Sequence, residues 1–599
     1  MTNIPSQYLR SRLTKVCVAV IGTTSSEMLE KAAAAAKETP FLEFRLDYLD
    51  NPLAALPKIK QFFAENVLVT AVATCRRVPN GGKFKGNLAA ETEVLQKAAS
   101  IGFHLVDVEL QSAEALKKAG LQKLRDAGAA IIISYHDFAA TKDLEGIHAR
   151  IAPFEPEFIK IVPTAKTLAD NITMIRFLER MEDHGNVIGI CMGDAGIISR
   201  VLGVRAGSIF TFAAASVGEE TGPGQIAART LIETYRIDQV DPATKVYGVA
   251  GNPIRSSLSP AMMNAAFRRE TVNAVYLALQ TSKVSDLFKL VNEIPLQGLS
   301  VTMPLKQDVM AHLERTDPLS AKIGACNTIV RAADGNLYGF NTDVAGITGP
   351  LEKRFPLKDS KVLVLGAGGA ARAAVFGLRD KGAEVWIYNR TPETAQKLAR
   401  QSGSKTIKRD AISKTPFDAI VNATPVGMSG QKLPQILAAE DLHADTRYVF
   451  DLVYNPVETP LLRAARQKGI PVITGVEMFV EQGARQFEIW TGKPAPEEEM
   501  LRVVIHALRQ QAELNPEPVE KPIPPPKLVA EKPAAKPAPA KAAAKPAAKP
   551  AAKKAPAKPA PKPAKKAAKP APKAAPKKAA KKAAAKPAKK STAAKSKGR

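Results

Sequence analysis

Through the first 240 residues, short apolar runs alternate with longer stretches in which apolar residues recur at helical spacing. The runs Val16–Ile21, Phe41–Tyr48, Val67–Cys75, Phe103–Leu110, Ala129–Tyr135, Phe158–Val162, Val187–Met192 and Ile209–Ala215 predict eight strands. Most positions in them are apolar, as required when both faces of a parallel sheet are covered. Segments such as Glu27–Lys37 and Leu168–Glu182 are long enough to be crossover helices. Eight such repeats predict an α/β chain that opens with a (β/α)8 barrel over 1–240, with an open doubly wound sheet as the alternative. Near Asp241–Thr244 the pattern restarts, and Val246–Ala250 predicts the first strand of a second α/β segment over 244–345. Lys361–Tyr388 then reads strand, glycine turn, helix, strand, within a third segment over 346–475. Periodicity ends near Ala512.

Composition changes the picture at one place. The formal charge of +27 suggests a polyanion binder, but it is unevenly spread. Residues 515–599 carry 25 Lys and Arg against 3 Asp and Glu, whereas the preceding 514 residues carry 60 against 55. The body is therefore nearly balanced, and the basicity belongs to a Lys/Ala/Pro tail without an aromatic residue. Such a tail has too little apolar surface to offset its ordering entropy and is predicted to be disordered. Cys17, Cys75, Cys191 and Cys326 are far apart and form no CxxC pair, which argues against a disulfide framework or a metal site. No signal-peptide pattern and no charge-free apolar span of membrane length are found, so a cytoplasmic enzyme is expected.

Candidate chemistry lies where the predicted barrel strands end. Glu43, Arg45 and Asp47 interrupt the second strand, and Arg76 closes the third. His136 and Asp137 follow the fifth, Lys160 lies within the sixth, Arg200 follows the seventh, and Thr221–Gln225 follows the eighth. A lone lysine at such a position is more often an edge or ion-pair residue, and a lone histidine more often a structural hydrogen-bonding one. Recurrence at strand after strand points instead to a site at the carboxyl end of a barrel. Glu43-Phe-Arg45-Leu-Asp47, Ser134-Tyr-His136-Asp-Phe138, Lys160-Ile-Val162 and Gly222-Pro-Gly-Gln225, in this order, resemble the type I 3-dehydroquinate dehydratases over about Lys15 to Tyr235. The resemblance implies a Schiff base on Lys160 and a general acid/base at His136. It also implies substrate contacts from Glu43, Arg45, Arg76, Arg200, Thr221 and Gln225. An imine is a better electron sink than a ketone, and a neutral amine is needed to form it. Burial beside Ile159 and Ile161, with nearby arginine charge, is expected to favour that neutral form. Two departures stand out. Thr221 replaces the expected Ser, and Asn80 precedes Gly81-Gly82 where many relatives carry a glutamate that pairs with the histidine.

In the third segment, Lys361-Val-Leu-Val-Leu-Gly366-Ala-Gly368-Gly369-Ala370-Ala371 sets G-x-G-x-x-A between a strand and a helix, the context a dinucleotide turn requires. The next strand ends in Asn389-Arg390-Thr391, with no acid to hold a ribose hydroxyl. Arg390 there suits a 2′-phosphate, which favours NADP over NAD. Ser257-Leu-Ser259-Pro260, Thr302-Met-Pro-Leu-Lys306, Asn327-Thr328, Asn341-Thr342-Asp343, Asn422-Ala-Thr424, Tyr454-Asn-Pro and Gln482 together resemble the shikimate dehydrogenases over about Val246 to Leu508. That resemblance implies a catalytic pair of Lys306 and Asp343. Substrate contacts would come from Ser257, Ser259, Thr302, Asn327, Tyr454 and Gln482. NADPH would be held by Gly366, Gly368, Gly369, Ala370, Asn389, Arg390, Thr391 and Thr424, and no metal is implied. Closing helices over 476–512 would return to the substrate domain. The product of the first implied reaction is the substrate of the second, so the two motif sets support each other. A quinate-using catabolic dehydrogenase, and a polyanion-binding protein with a relic enzyme body, remain as alternatives. Non-specific nucleic-acid binding by the tail is the partner expected beyond small-molecule substrates.

Overall fold

The computed structural model describes residues 6–430 and 433–514; the tail, with the disorder expected of it, lies outside the described residues. Eight parallel strands form the first sheet: Val16–Val20 (β1), Phe41–Arg45 (β2), Thr70–Thr74 (β3), Leu105–Glu109 (β4), Ala130–His136 (β5), Phe158–Val162 (β6), Val187–Gly189 (β7) and Thr211–Ala214 (β8). They run in sequence order, with β8 closing onto β1, and the Ile209 amide donates to the Val187 carbonyl at 3.1 Å across the last gap. Alternation along the strands decides what fills the barrel. Cys17, Phe41, Val72, Leu105, Ile132 and Phe158 form one apolar cluster near the strand starts. Two residues further along the same faces stand Ala19, Glu43, Thr74, Asp107, Ser134 and Lys160, all buried. The barrel is thus apolar at its amino end and ionic towards its carboxyl end.

The second sheet holds Lys245–Gly251 (β9), Ala274–Gln280 (β10), Leu296–Val301 (β11), Arg315–Thr316 (β12), Thr328–Arg331 (β13) and Leu337–Phe340 (β14), in the order β10-β9-β11-β13-β14-β12. The third is parallel and holds Lys361–Leu365 (β15), Glu384–Tyr388 (β16), Lys405–Thr406 (β17), Ala419–Asn422 (β18), Tyr448–Asp451 (β19) and Val472–Ile473 (β20), in the order β17-β16-β15-β18-β19-β20. Its order reverses beside β15, the strand that enters the glycine turn, and such switch points are where open α/β sheets take ligands. The helices Gly475–Thr491 and Glu497–Leu514 turn back, and Phe479, Phe487, Met500 and Val504 pack with Tyr247, Met262, Phe267 and Tyr276 of the second segment. The barrel is bonded to that segment as well. The Asp286 carboxylate accepts the amides of Leu168 and Ala169, both at 3.1 Å, and Arg176 donates to the Glu293 carbonyl.

Two candidate active sites

A cleft at the carboxyl end of the barrel is lined by Glu43, Arg45, Arg76, His136, Lys160, Arg200, Thr221 and Gln225 together. Lys160 projects inwards from the middle of β6. Its ammonium lies 2.9 Å from Asp107, 3.6 Å from Glu43 and 3.7 Å from the centre of the Phe212 ring. Ile159 and Ile161, expected to surround it, belong to the outer face of the strand and pack into another cluster. The period of two puts sequence neighbours on opposite faces. The expected setting of apolar and arginine neighbours is therefore incomplete, since two carboxylates face this lysine.

The three arginines differ in their partners. Arg45 donates two hydrogen bonds to the Asp47 carboxylate, at 2.9 and 2.8 Å. Arg76 donates to Asp107 at 3.0 Å and lies 3.2 Å from Glu109. Among the described residues Arg200 donates only to the backbone carbonyls of Gly224 and Phe212, and burial pulls its guanidinium down to about 10. His136, at the end of β5, places Nδ1 3.0 Å from Glu109 and stacks on Phe138. Burial and the charge of Arg76 push it below the usual histidine range, and Glu109 opposes them without prevailing. Phe138 crosses the top of Gly81, whose φ of +80° and 2.3 Å clearance to that ring leave no room for a Cβ. Thr221 donates through its hydroxyl to Gln225, which orders the loop after β8.

A larger cleft separates the second and third sheets. Thr302, Lys306, Gly366, Gly368, Gly369, Ala370, Asn389, Thr424 and Tyr454 line it. Lys306 is hydrogen-bonded to Asp343, whose other oxygen accepts from Asn327 at 2.7 Å. Asp343 begins the helix Asp343–Glu352, and Asn327 immediately precedes β13, so two elements converge on one cation. Gly366 has a φ of +114° and Thr424 at its back, while Gly368 has open space where a side chain would stand. Helix Gly369–Asp380 follows, with its free amides at the turn. A pyrophosphate can approach such a backbone closely, and the positive end of the helix favours its charge. Arg390 is exposed beyond β16 with no carboxylate partner among the described residues, and Thr391 immediately precedes the next helix without a side-chain capping bond. The residues present therefore fit a phosphorylated dinucleotide.

Comparison with known proteins agrees with both resemblances. Residues 16–242 match the type I 3-dehydroquinase family. Residues 249–329 match the shikimate dehydrogenase substrate binding domain, 351–442 the shikimate / quinate 5-dehydrogenase family, and 475–505 the shikimate 5'-dehydrogenase C-terminal domain. A chloroplastic bifunctional 3-dehydroquinate dehydratase/shikimate dehydrogenase of Arabidopsis thaliana is 34% identical over 507 residues, covering 81% of this chain and 83% of its own. The chain belongs to the bifunctional 3-dehydroquinate dehydratase/shikimate dehydrogenase family. An NADP(+) shikimate dehydrogenase of Methanosarcina acetivorans is 40% identical over 44% of this chain and 99% of its own. A solved dehydroquinate dehydratase and shikimate dehydrogenase from S. pombe is 25% identical and covers 83% of this chain and 99% of that one, with a TM-score of 0.39.

Within this family frame, all eight barrel residues to which the resemblance gives a role share one cleft, Asp47 and Asp137 do not line it, and the dehydrogenase set divides. Asn327 and Asp343 reach the cleft through Lys306 rather than by lining it. Ser256 lines the cleft, whereas Ser257 and Ser259 do not, and the Ser259 amide donates to the Ser257 hydroxyl at 3.2 Å. Gln482 is buried and donates to the Phe479 carbonyl of its own helix. Sequence reasoning missed Asp107 and Glu109. Their signal was available: two acids two apart in an otherwise apolar strand must share its inner or outer face. Among the described residues no group of side chains could hold a metal ion, and no helix is long and apolar enough to cross a membrane.

Proposed function

We propose that the chain catalyses two consecutive steps of the shikimate pathway. The barrel dehydrates 3-dehydroquinate to 3-dehydroshikimate, and the second cleft reduces that product to shikimate with NADPH. The observation that carries the first half is Lys160, a buried amine facing His136, Glu43 and Arg200 across one cleft. In this reading the Lys160 amine adds to the substrate ketone, and loss of water gives an iminium ion. His136 takes the proton from the adjacent carbon, and the C–H electron pair moves into the enamine. The enamine then expels hydroxide, which the imidazolium protonates to water, and hydrolysis of the remaining iminium ion breaks its C–N bond to release 3-dehydroshikimate and the free Lys160 amine. Arg200, lacking a carboxylate of its own, suits the substrate carboxylate, and Glu43, Thr221 and Gln225 suit its hydroxyls. At the second cleft, bound NADPH supplies the hydride. Lys306, hydrogen-bonded to Asp343, would give the alkoxide its proton, and Arg390 would hold the 2′-phosphate. The segments 244–345 and 346–475 serve as substrate and cofactor domains.

Borohydride added with 3-dehydroquinate should modify Lys160 covalently. Lys160→Ala should abolish dehydration and leave reduction of 3-dehydroshikimate nearly unchanged. No adduct, or one on another residue, contradicts the assignment.

The reading extends to the cytoplasm, supported by four unpaired buried cysteines that suit a reducing compartment. For residues 515–599 it rests on sequence alone. Lysine without aromatics favours phosphate contacts over stacking, so binding to polyanions without sequence preference is proposed. The full chain should retard DNA in a gel at low salt and lose it as salt rises, while truncation after Leu514 removes the binding and keeps both activities. Retention of binding by the truncated protein would defeat this part.

A further inference from the structure

The dehydratase site contains more buried charge than its reacting groups account for. Asp107 and Glu109 stand two residues apart on β4, both directed into the barrel and both 3% exposed. Ser134 and Arg76 join them: the one hydroxyl proton of Ser134 serves Asp107 at 2.6 Å while its oxygen lies 3.0 Å from Glu109, and the Arg76 guanidinium pairs with both acids at 3.0 and 3.2 Å. Asp107 continues to Lys160 at 2.9 Å, and Glu109 continues to His136 at 3.0 Å. The lysine and the histidine are therefore the two ends of one hydrogen-bonded network built on β4 and β5.

Glu109 grips the histidine twice. One oxygen accepts the His136 backbone amide at 3.0 Å, and the other faces Nδ1. Asn80, which occupies the position where a pairing glutamate was looked for, makes no hydrogen bond to His136. Its side-chain nitrogen is buried without a partner.

We infer that Glu109 is the positioning residue that holds His136 as the tautomer with its proton on Nδ1 and its free Nε2 lone pair towards the cleft. This rests on the dehydratase reading given above and deepens it. An ionised carboxylate only accepts hydrogen bonds, so the ring nitrogen facing it must donate. In a neutral imidazole the other nitrogen then carries the lone pair, and only that nitrogen can take a proton from substrate. Burial raises Glu109, but the charge and bond of His136, with Arg76, overcome this and keep it below the usual carboxylate range. When Nε2 gains the substrate proton, the imidazolium finds a counter-charge already in place and no group has to reorganise. The backbone bond to Oε1 also prevents the carboxylate from rotating away. The chain thus supplies from β4 the carboxylate that the loop at Asn80 does not.

Glu109→Gln keeps the shape and places an amide donor where it can face Nδ1, driving the ring proton to Nε2. The turnover number for dehydration should fall about 100- to 1000-fold, within the range for loss of general-base function. The charged groups facing His136 are Arg76, Asp107, Glu109 and Lys160, and only Glu109 is changed. Because Glu109 raises the histidine, the acid limb of kcat/KM should move to lower pH in the variant. End-point trapping of Lys160 with 3-dehydroshikimate and borohydride should persist, because imine formation needs the amine and not the orientation of the base. Reduction of 3-dehydroshikimate by the same preparation should match the parent. Near-parental turnover with an unmoved acid limb overturns the inference. Should the variant fail to fold, the native protein answers: the ring nitrogen-15 signals of His136, assigned by their loss in His136→Gln, should report a protonated Nδ1, and a protonated Nε2 in the neutral ring overturns it. Absence of trapping in the parent protein would instead reject the Schiff-base reading itself.

Discussion

Arg200 has no carboxylate of its own, unlike Arg45 and Arg76. Those two are neutralised by Asp47 and by Asp107 with Glu109, so they give the cleft shape and hydrogen bonds but little net attraction for an anion. Arg200 is fully inside the protein, bonded only to carbonyls, and pulled down to about 10 by burial. A substrate carboxylate would restore what burial removes. Arg200→Ala should therefore raise the KM for 3-dehydroquinate by about 10- to 150-fold, on the order of 1.5–3 kcal/mol for a charge-assisted pair. Steady-state kinetics on the variant, with reduction of 3-dehydroshikimate as the folding control, provide the check, and an unchanged KM contradicts the role. This distinction was invisible in the sequence. All three arginines read there as equivalent forks, because Asp47 beside Arg45 gave no sign of being its partner and the acids that neutralise Arg76 come from β4.

At the scale of elements, strand alternation made the barrel legible and chain direction made it imprecise. Val67 and Leu68 looked like the start of a strand, but they are 71% and 79% exposed in the turn before β3. An apolar residue does not pair merely by being apolar. The dinucleotide turn was read more sharply, since glycine spacing, a preceding strand and a following helix had to coincide. Its supporting wall was not. Asp451, at the end of β19, accepts Asn422 of β18, the Val453 amide and the Thr459 hydroxyl that caps helix Pro460–Gln467. Burial pushes this carboxyl up to about 6 despite those three bonds. Its folded pKa thus exceeds its unfolded value, so the folded state binds the proton more tightly. Stability from this group grows as pH falls from above 6 towards the unfolded pKa near 3.8 and is lost as pH rises through about 6. Asp451→Asn, which keeps an oxygen for Asn422 and Val453, should raise the thermal midpoint of the cofactor-binding region at pH 8. The gain should shrink by pH 5.5. A variant less stable than the parent at pH 8 would contradict this account.

For the whole molecule, the order of the three sheets was readable because each begins with an apolar strand after a polar break, at Val16, Lys245 and Lys361. The bonding of barrel to dehydrogenase was not, since Asp286 and Glu293 look like ordinary helix-surface acids until Leu168, Ala169 and Arg176 are brought to them. The two clefts make chemical sense as a pair because dehydration leaves the ketone that the second site reduces. The most direct measurement follows the full chain with 3-dehydroquinate, with and without NADPH. Without NADPH, the conjugated enone of 3-dehydroshikimate should accumulate. With NADPH, one cofactor should be oxidised for each shikimate formed, and the enone should remain low. Failure to form the enone, or enone formation with no NADPH-dependent consumption, would contradict the bifunctional account.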